Sequence, residues 1–231
     1  MDYAVESTAR GFRLVQHGVV LSEVLRHPGP THSVFDVLAA LAVALRADHP
    51  IGLLGFAAGS LMAPLRCLSS TTPVRAVDLD AAGFGLFREV CWSWAGDMIW
   101  EQGDAVEWLE RQYYTFPVLI DDLSVPSEGD VVKPIESGGT LLGLMKRKLA
   151  PGGVVISNFL RPESGGWSGV YRQFRRVHRS VRVVLLEEYE NRILVGGQSL
   201  PAAGRLGAEL RRVLGRLGSR QAAKVRIRTV V

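Results

Sequence analysis

Apolar residues along this chain recur in two rhythms. Short apolar runs bounded by glycine, proline or aspartate read as buried strands, and longer segments with apolar positions three and four apart read as amphipathic helices. Phe12 to Leu25 alternates around Gly18 and predicts a small N-terminal β-hairpin, with a turn at residues 27–30. Ser33 reads as an N-cap with Asp36 three residues on. Val34, Val37, Leu38, Leu41 and Leu45 then form one helical face that stops at Asp48-His49-Pro50. From there the chain alternates. The expected strands are Ile51 to Gly55, Val74 to Leu79, Met98 to Glu101, Pro117 to Asp121 and Val154 to Ser157. Between and after them come helices at Ser60 to Cys67, Ala81 to Trp92, Ala105 to Gln112, Ser137 to Leu149 and Ser168 to His178. Short buried strands separated by helices imply a parallel sheet covered on both faces. Val181 to Glu188 and Arg192 to Gly197 are separated by Tyr189-Glu190-Asn191 alone and must pair as an antiparallel hairpin. The expectation is an α/β chain with a doubly wound, seven-stranded sheet. A helix at Ala202 to Leu217 and an extra edge strand at Val225 to Val231 follow it. Three segments result: a hairpin segment at 1–32, a ligand-binding domain at 33–200 and a C-terminal extension at 201–231.

Composition narrows the class. With 231 residues, 47% of them hydrophobic, the chain can bury one sizeable core, which excludes a disordered tail protein. The longest stretch free of charge and histidine, Pro50 to Leu65, is too short and glycine-broken to span a bilayer, so no membrane partner is expected. Asp2, Glu6 and Arg10 interrupt any signal-peptide core, and a cytoplasmic protein is expected. Cys67 and Cys91 lack metal-ligand spacing and read as small buried hydrophobes, with no metal site. The net charge of +4 is unevenly held: residues 201–231 carry +7 and the other 200 residues −3. A mildly acidic body with a basic tail lacking interleaved aromatics is not a nucleic-acid surface.

In doubly wound sheets ligands bind at the carboxyl ends of the strands, where strand order reverses. The first such end is Gly55-Phe56-Ala57-Ala58-Gly59-Ser60, small residues that let backbone approach a ligand; simple packing explains them equally well. The second is Asp78-Leu79-Asp80, about twenty residues on, the spacing at which a carboxylate accepts from both ribose hydroxyls. Asp104, in Gly103-Asp104-Ala105, stands at a helix start and also reads as an N-cap. Asp121 and Asp122 end the fourth strand, on a loop beside the expected crevice.

These motifs, together with Trp108-Leu109, Phe116 to Pro126, His17-Gly18-Val19-Val20 with Glu23, and Lys148 to Gly153, resemble the spermidine synthase family. That family has the Rossmann-like class I S-adenosylmethionine-dependent methyltransferase fold, and the resemblance spans roughly residues 12 to 197. It implies a pocket for S-adenosylmethionine or its decarboxylated form. Gly55, Phe56, Ala57 and Gly59 would lie beside the methionine part, Asp78 at the ribose, Asp104 toward the adenine amino group and Asp122 at the reaction centre. Leu79 and Ala105 would be flanking cofactor contacts.

The departures fall on the polyamine side. Val125 stands where the family's loop has its second aspartate, Ala58 replaces the aspartate of the glycine loop, and Leu21 follows Gly18-Val19-Val20 where a glutamine is expected. The tyrosine-rich cover is reduced to Tyr189-Glu190-Asn191. An acid at position 58 would repel the carboxylate of the intact methyl donor, so its loss favours methyl transfer to a small-molecule acceptor. Asp122 is the first candidate base and His32 the second, His32 reading equally as a capping-region surface residue. Ser124, Trp167 and Tyr171 are candidate acceptor contacts, with residues 161–167 as a lid, though aromatic packing accounts for Trp167 and Tyr171 as well. Arg172 to Arg182 reads as a solvated face. Aminopropyl transfer and a degenerate binding module are the alternatives. The family often dimerises, which leaves a homodimer through the C-terminal helix and strand open.

Overall fold

The computed structural model describes residues 3–16, 18–127, 130–133, 140–162 and 166–231. His17, the expected helix start at Ser137 and the 163–165 part of the expected lid lie outside them.

The N-terminal segment is a three-stranded antiparallel sheet, β1 (Ala4–Thr8), β2 (Gly11–Gln16) and β3 (Val19–Leu25), and not a simple hairpin. The added strand β1 is almost wholly exposed, so its sequence carries no alternation to reveal it. Helix α1 (Val34–Arg46) follows, capped by Ser33 Oγ accepting from Phe35 N–H. Asp36 reaches back further than a capping box does and accepts from the amides of Thr31 and His32 and from the Thr31 hydroxyl.

The alternating region gives β4 (Ile51–Leu54), α2 (Met62–Leu68), β5 (Val74–Asp78), α3 (Ala82–Cys91), β6 (Met98–Gln102), α4 (Ala105–Arg111) and β7 (Phe116–Asp121). A two-stranded ribbon, β8 (Val125–Ser127) with β9 (Asp130–Val132), stands apart from the main sheet. Then come α5 (Thr140–Arg147), β10 (Leu149–Phe159), α6 (Gly166–Val177), β11 (Ser180–Leu186), β12 (Arg192–Gly197), α7 (Ala203–Leu217) and β13 (Val225–Thr229). The strand β10 is longer than expected because it runs through Pro151-Gly152-Gly153, absorbing them as a register irregularity against β7.

The main sheet has the order β13-β11-β12-β10-β7-β4-β5-β6. Strands β10, β7, β4, β5 and β6 are mutually parallel, and β12, β11 and β13 add antiparallel pairs. The chain steps outward from β4 to β6 and then returns to β7 on the other side of β4. The order therefore reverses between β4 and β7, where a crevice must open above the strand ends. Period-two alternation sends Leu53, Val118, Ile120, Ile193 and Val195 to a core under α1, α2, α3 and α7. Leu54, Leu119 and Leu194 go to the opposite core, shared with α4, α5 and α6.

The basic C-terminal segment is part of this body. Leu206, Leu210, Val213 and Leu214 of α7 are buried in the same core as α1, Gly218 ends the helix in the left-handed conformation, and β13 is the eighth strand of the sheet. Two smaller expectations change. Arg182 is buried and its guanidinium donates to the carbonyls of Pro201, Leu200 and Val181, so it is not on the solvated arginine face. Cys67 is exposed, while Cys91 is buried as expected. No described helix is long and apolar enough to cross a membrane.

Candidate functional site

A cavity of about 660 Å³ lies above the carboxyl ends of β4, β5, β6 and β7, under the N-terminal sheet. Its floor begins with the β4–α2 loop. Gly55 has φ +83, and a Cβ there would lie 2.7 Å from the Asp122 carbonyl oxygen, so only glycine lets the ends of β4 and β7 approach this closely. Ala57 is also left-handed, with φ 45. The loop is held in this shape by Asp78, whose Oδ2 accepts from the amides of Phe56 at 2.6 Å and Ala57 at 2.7 Å. Gly59 does not line the cavity. It packs against the rings of Phe56 and Phe87, where a side chain would collide.

Around the floor, Leu79 leaves 61% of its surface exposed, forming an apolar ledge beside Asp78. Asp104 is an N-cap, its Oδ1 accepting from Val106 N–H at 2.8 Å and Glu107 N–H at 3.0 Å, and with Ala105 it lines the same cavity. Asp78 and Asp104 keep carboxylate lone pairs after these bonds and can accept from a ligand. The structure thus brings Gly55, Phe56, Ala57, Asp78, Leu79, Asp104, Ala105 and Asp122 together on one wall.

Asp122 stands where this cavity meets a second one of about 540 Å³. Its amide donates to Leu54 O, which fixes it at the mouth of the crevice. Burial pushes the Asp122 carboxyl up to about 6, opposed by a hydrogen bond from Asn158 and the charge of Lys133. Asn158 Nδ2 donates to Asp122 Oδ1 at 2.8 Å and is itself oriented by Asn191 Nδ2, which donates to Asn158 Oδ1 at 3.0 Å. The neighbouring Asp121 turns away and is buried in an ion pair with Lys133 at 2.8 Å, whose ammonium also donates to Asn158 O. Two adjacent aspartates therefore have separate tasks, one structural and one facing the cavity.

The second cavity is lined by His32 and Ser124, as expected, and also by Phe35, Tyr189, Asn191 and Arg220. His32 adopts φ 62, its carbonyl accepts from Gln221 Nε2, and its ring is held below the ordinary histidine value, chiefly by burial. At neutral pH it is an uncharged imidazole whose Nδ1 accepts from the Arg220 amide at 3.4 Å, a contact it would give up to take a proton. Trp167 and Tyr171 are not brought to this cavity. They stack on each other, and Arg192 lies over Trp167 at 4.3 Å, in clefts beyond Tyr189 and Asn191. Lys133 and Asn158 escaped the sequence reading. The one available signal was the polar pair Ser157-Asn158 closing an apolar strand.

No protein-family model and no curated protein matches this sequence. Solved structures do. A probable spermidine synthase from Corynebacterium glutamicum aligns over 99% of this chain and 87% of its own at 20% identity, with a TM-score of 0.79. Human methyltransferase-like protein 13, in complex with S-adenosylhomocysteine, covers 81% of this chain and 92% of its own at 19% identity and TM-score 0.64. A spermidine synthase in complex with the transition-state analogue AdoDATO covers 86% and 71% at 13% identity and TM-score 0.66. The site described above is therefore carried on the α/β fold shared by spermidine synthases and class I S-adenosylmethionine-dependent methyltransferases.

Proposed function

We propose that this chain is a transferase that uses S-adenosylmethionine and moves its methyl group to a small-molecule acceptor. The observation that carries the proposal is the place of Asp122, one carboxyl lining both of two adjoining cavities, which we read as the nucleoside side and the acceptor side. The residues present fit the donor: Asp78 and Asp104 line one cavity with lone pairs left to accept from ribose hydroxyls and an adenine amino group, and Leu79 offers an apolar ledge for a flat base. When bound, the donor supplies a carbon already activated by a positively charged sulfur. The protein's work is then positioning and proton management. Asp122, held by Asn158, faces the acceptor side with a carboxyl pushed up to about 6, which suits a base at neutral pH. His32 lines the same cavity as a second acceptor of the proton.

Ala58 in the loop removes the charge that would repel the donor's carboxylate. Arg220, on the rim of the acceptor cavity, disfavours a polycationic amine. Calorimetry with the intact and decarboxylated donors tests the proposal: intact donor should bind more tightly, and clear preference for the decarboxylated form overturns it. One observation favours aminopropyl transfer, the second reading. The alignment with the Corynebacterium glutamicum protein takes in almost the whole chain, N-terminal sheet included. Formation of spermidine or a related polyamine from putrescine would decide for it.

A further inference from the structure

Five buried side-chain atoms among the described residues lack a hydrogen-bond partner, and Gln16 Oε1 alone belongs to a residue lining the nucleoside cavity. Gln16 is 4% exposed, at the end of β2. A buried amide oxygen without a donor destabilises the protein that holds it and calls for an explanation, of which a donor brought by a ligand is one. We propose that Gln16 is a binding residue for the α-ammonium group of the cofactor's amino-acid tail, which donates an N–H to Oε1. The proposal rests on the reading that an S-adenosylmethionine-type nucleoside occupies this cavity.

A ligand of this class has three sets of donors facing the protein: the adenine amino group, the ribose hydroxyls and the α-ammonium. Asp104 and Asp78 stand ready for the first two, each with lone pairs left after its backbone bonds. The third has no acid in the glycine loop, because that position is Ala58. The N-terminal sheet covers this part of the loop. Ser22 Oγ accepts from Ala58 N–H at 3.2 Å, and Ser22 is paired across the sheet with Leu14, two residues before Gln16 on the same cavity-lining face of β2. An amide oxygen attracts an ammonium but, being uncharged, does not repel the α-carboxylate beside it. A glutamine here thus admits the intact donor where an acid would select the decarboxylated one.

The experiment compares Gln16→Leu with the wild-type chain in calorimetric titrations of S-adenosylhomocysteine and 5′-methylthioadenosine, which shares the nucleoside and thioether but has no amino-acid tail. Loss of one hydrogen bond to a charged group should weaken S-adenosylhomocysteine by roughly tenfold or more and leave methylthioadenosine within about twofold. The unliganded Gln16→Leu protein should melt no lower than wild type, since an unsatisfied buried oxygen is removed. Gln16→Glu should shift preference toward the decarboxylated donor. Equal weakening of both ligands by Gln16→Leu overturns the assignment in favour of a ribose contact or a structural role, and no weakening of either overturns it outright. A wild-type chain that binds neither ligand refutes the nucleoside reading itself, a result distinct from the other two.

Discussion

Replacing Asp122 by asparagine should make the protein more stable while removing its function, and the gain should grow with pH. The Asp122 carboxyl sits near 6 in the fold against an ordinary 3.8, mainly because burial disfavours the charge. The folded state therefore binds this proton more tightly than the unfolded chain does. Between those two values the folded state holds more protons, so stability falls as pH rises through them, and above about pH 6 the full cost is present. At about 1.4 kcal/mol per pH unit, the gap corresponds to roughly 3 kcal/mol, trimmed toward 2 by water reaching the cavity wall. Asparagine keeps the shape and can still accept from Asn158 Nδ2, but has no charge to desolvate. Urea unfolding followed by tryptophan fluorescence, at about pH 4.5 and about pH 7.5, should show the advantage of Asp122→Asn growing by about 1 kcal/mol at constant m, since part of the cost is already present at the lower pH. The same variant should lose about a hundredfold or more in transfer rate if Asp122 is the base. An advantage that is flat with pH, or larger at the acid end, refutes the account of a desolvated carboxylate.

Asn158→Leu removes the hydrogen bond that opposes burial at Asp122, so the acid limb of the activity profile should move to higher pH, read from initial rates across the acid range. Gly55→Ala should cost about 2 kcal/mol or more and weaken nucleoside binding together, because it combines φ +83 with a Cβ 2.7 Å from the Asp122 carbonyl; denaturation and calorimetry on one sample check both. Arg66 is buried and donates to the carbonyls of Ala95, Thr72 and Asp97, so Arg66→Met should lower stability by about 2–4 kcal/mol with little change in ligand affinity.

Much of the site was legible because each strand end is marked by a local pattern. A run such as Ile51-Gly52-Leu53-Leu54 followed by small residues, or Val77 followed by Asp78, announces both the strand and the point where it meets solvent. Gly59 and Trp167 show the limit of that reading. Small size at Gly59 answers to Phe56 and Phe87 beneath the loop and not to a ligand, while Trp167 answers to Arg192. Phe87 and Arg192 are distant in sequence from the residues they pack against, so no local pattern distinguishes packing from binding. Strand β1 was hidden for the opposite reason, since an exposed strand needs no apolar alternation.

By itself the sequence determined the order of strands and helices in the main sheet, its parallel core, the closing hairpin and the row of aspartates at strand ends, because periodicity and turn residues act within a few positions. Only the tertiary structure decided what surrounds those aspartates. It paired Asp121 with Lys133, gave Asp122 to Asn158, left Gln16 Oε1 without a donor, and drew the basic C-terminal segment into the core so that Arg220 reaches the second cavity. Those relations join residues from 12 to nearly two hundred positions apart. Burial and charge depend on everything within a few ångströms, whatever its place along the chain.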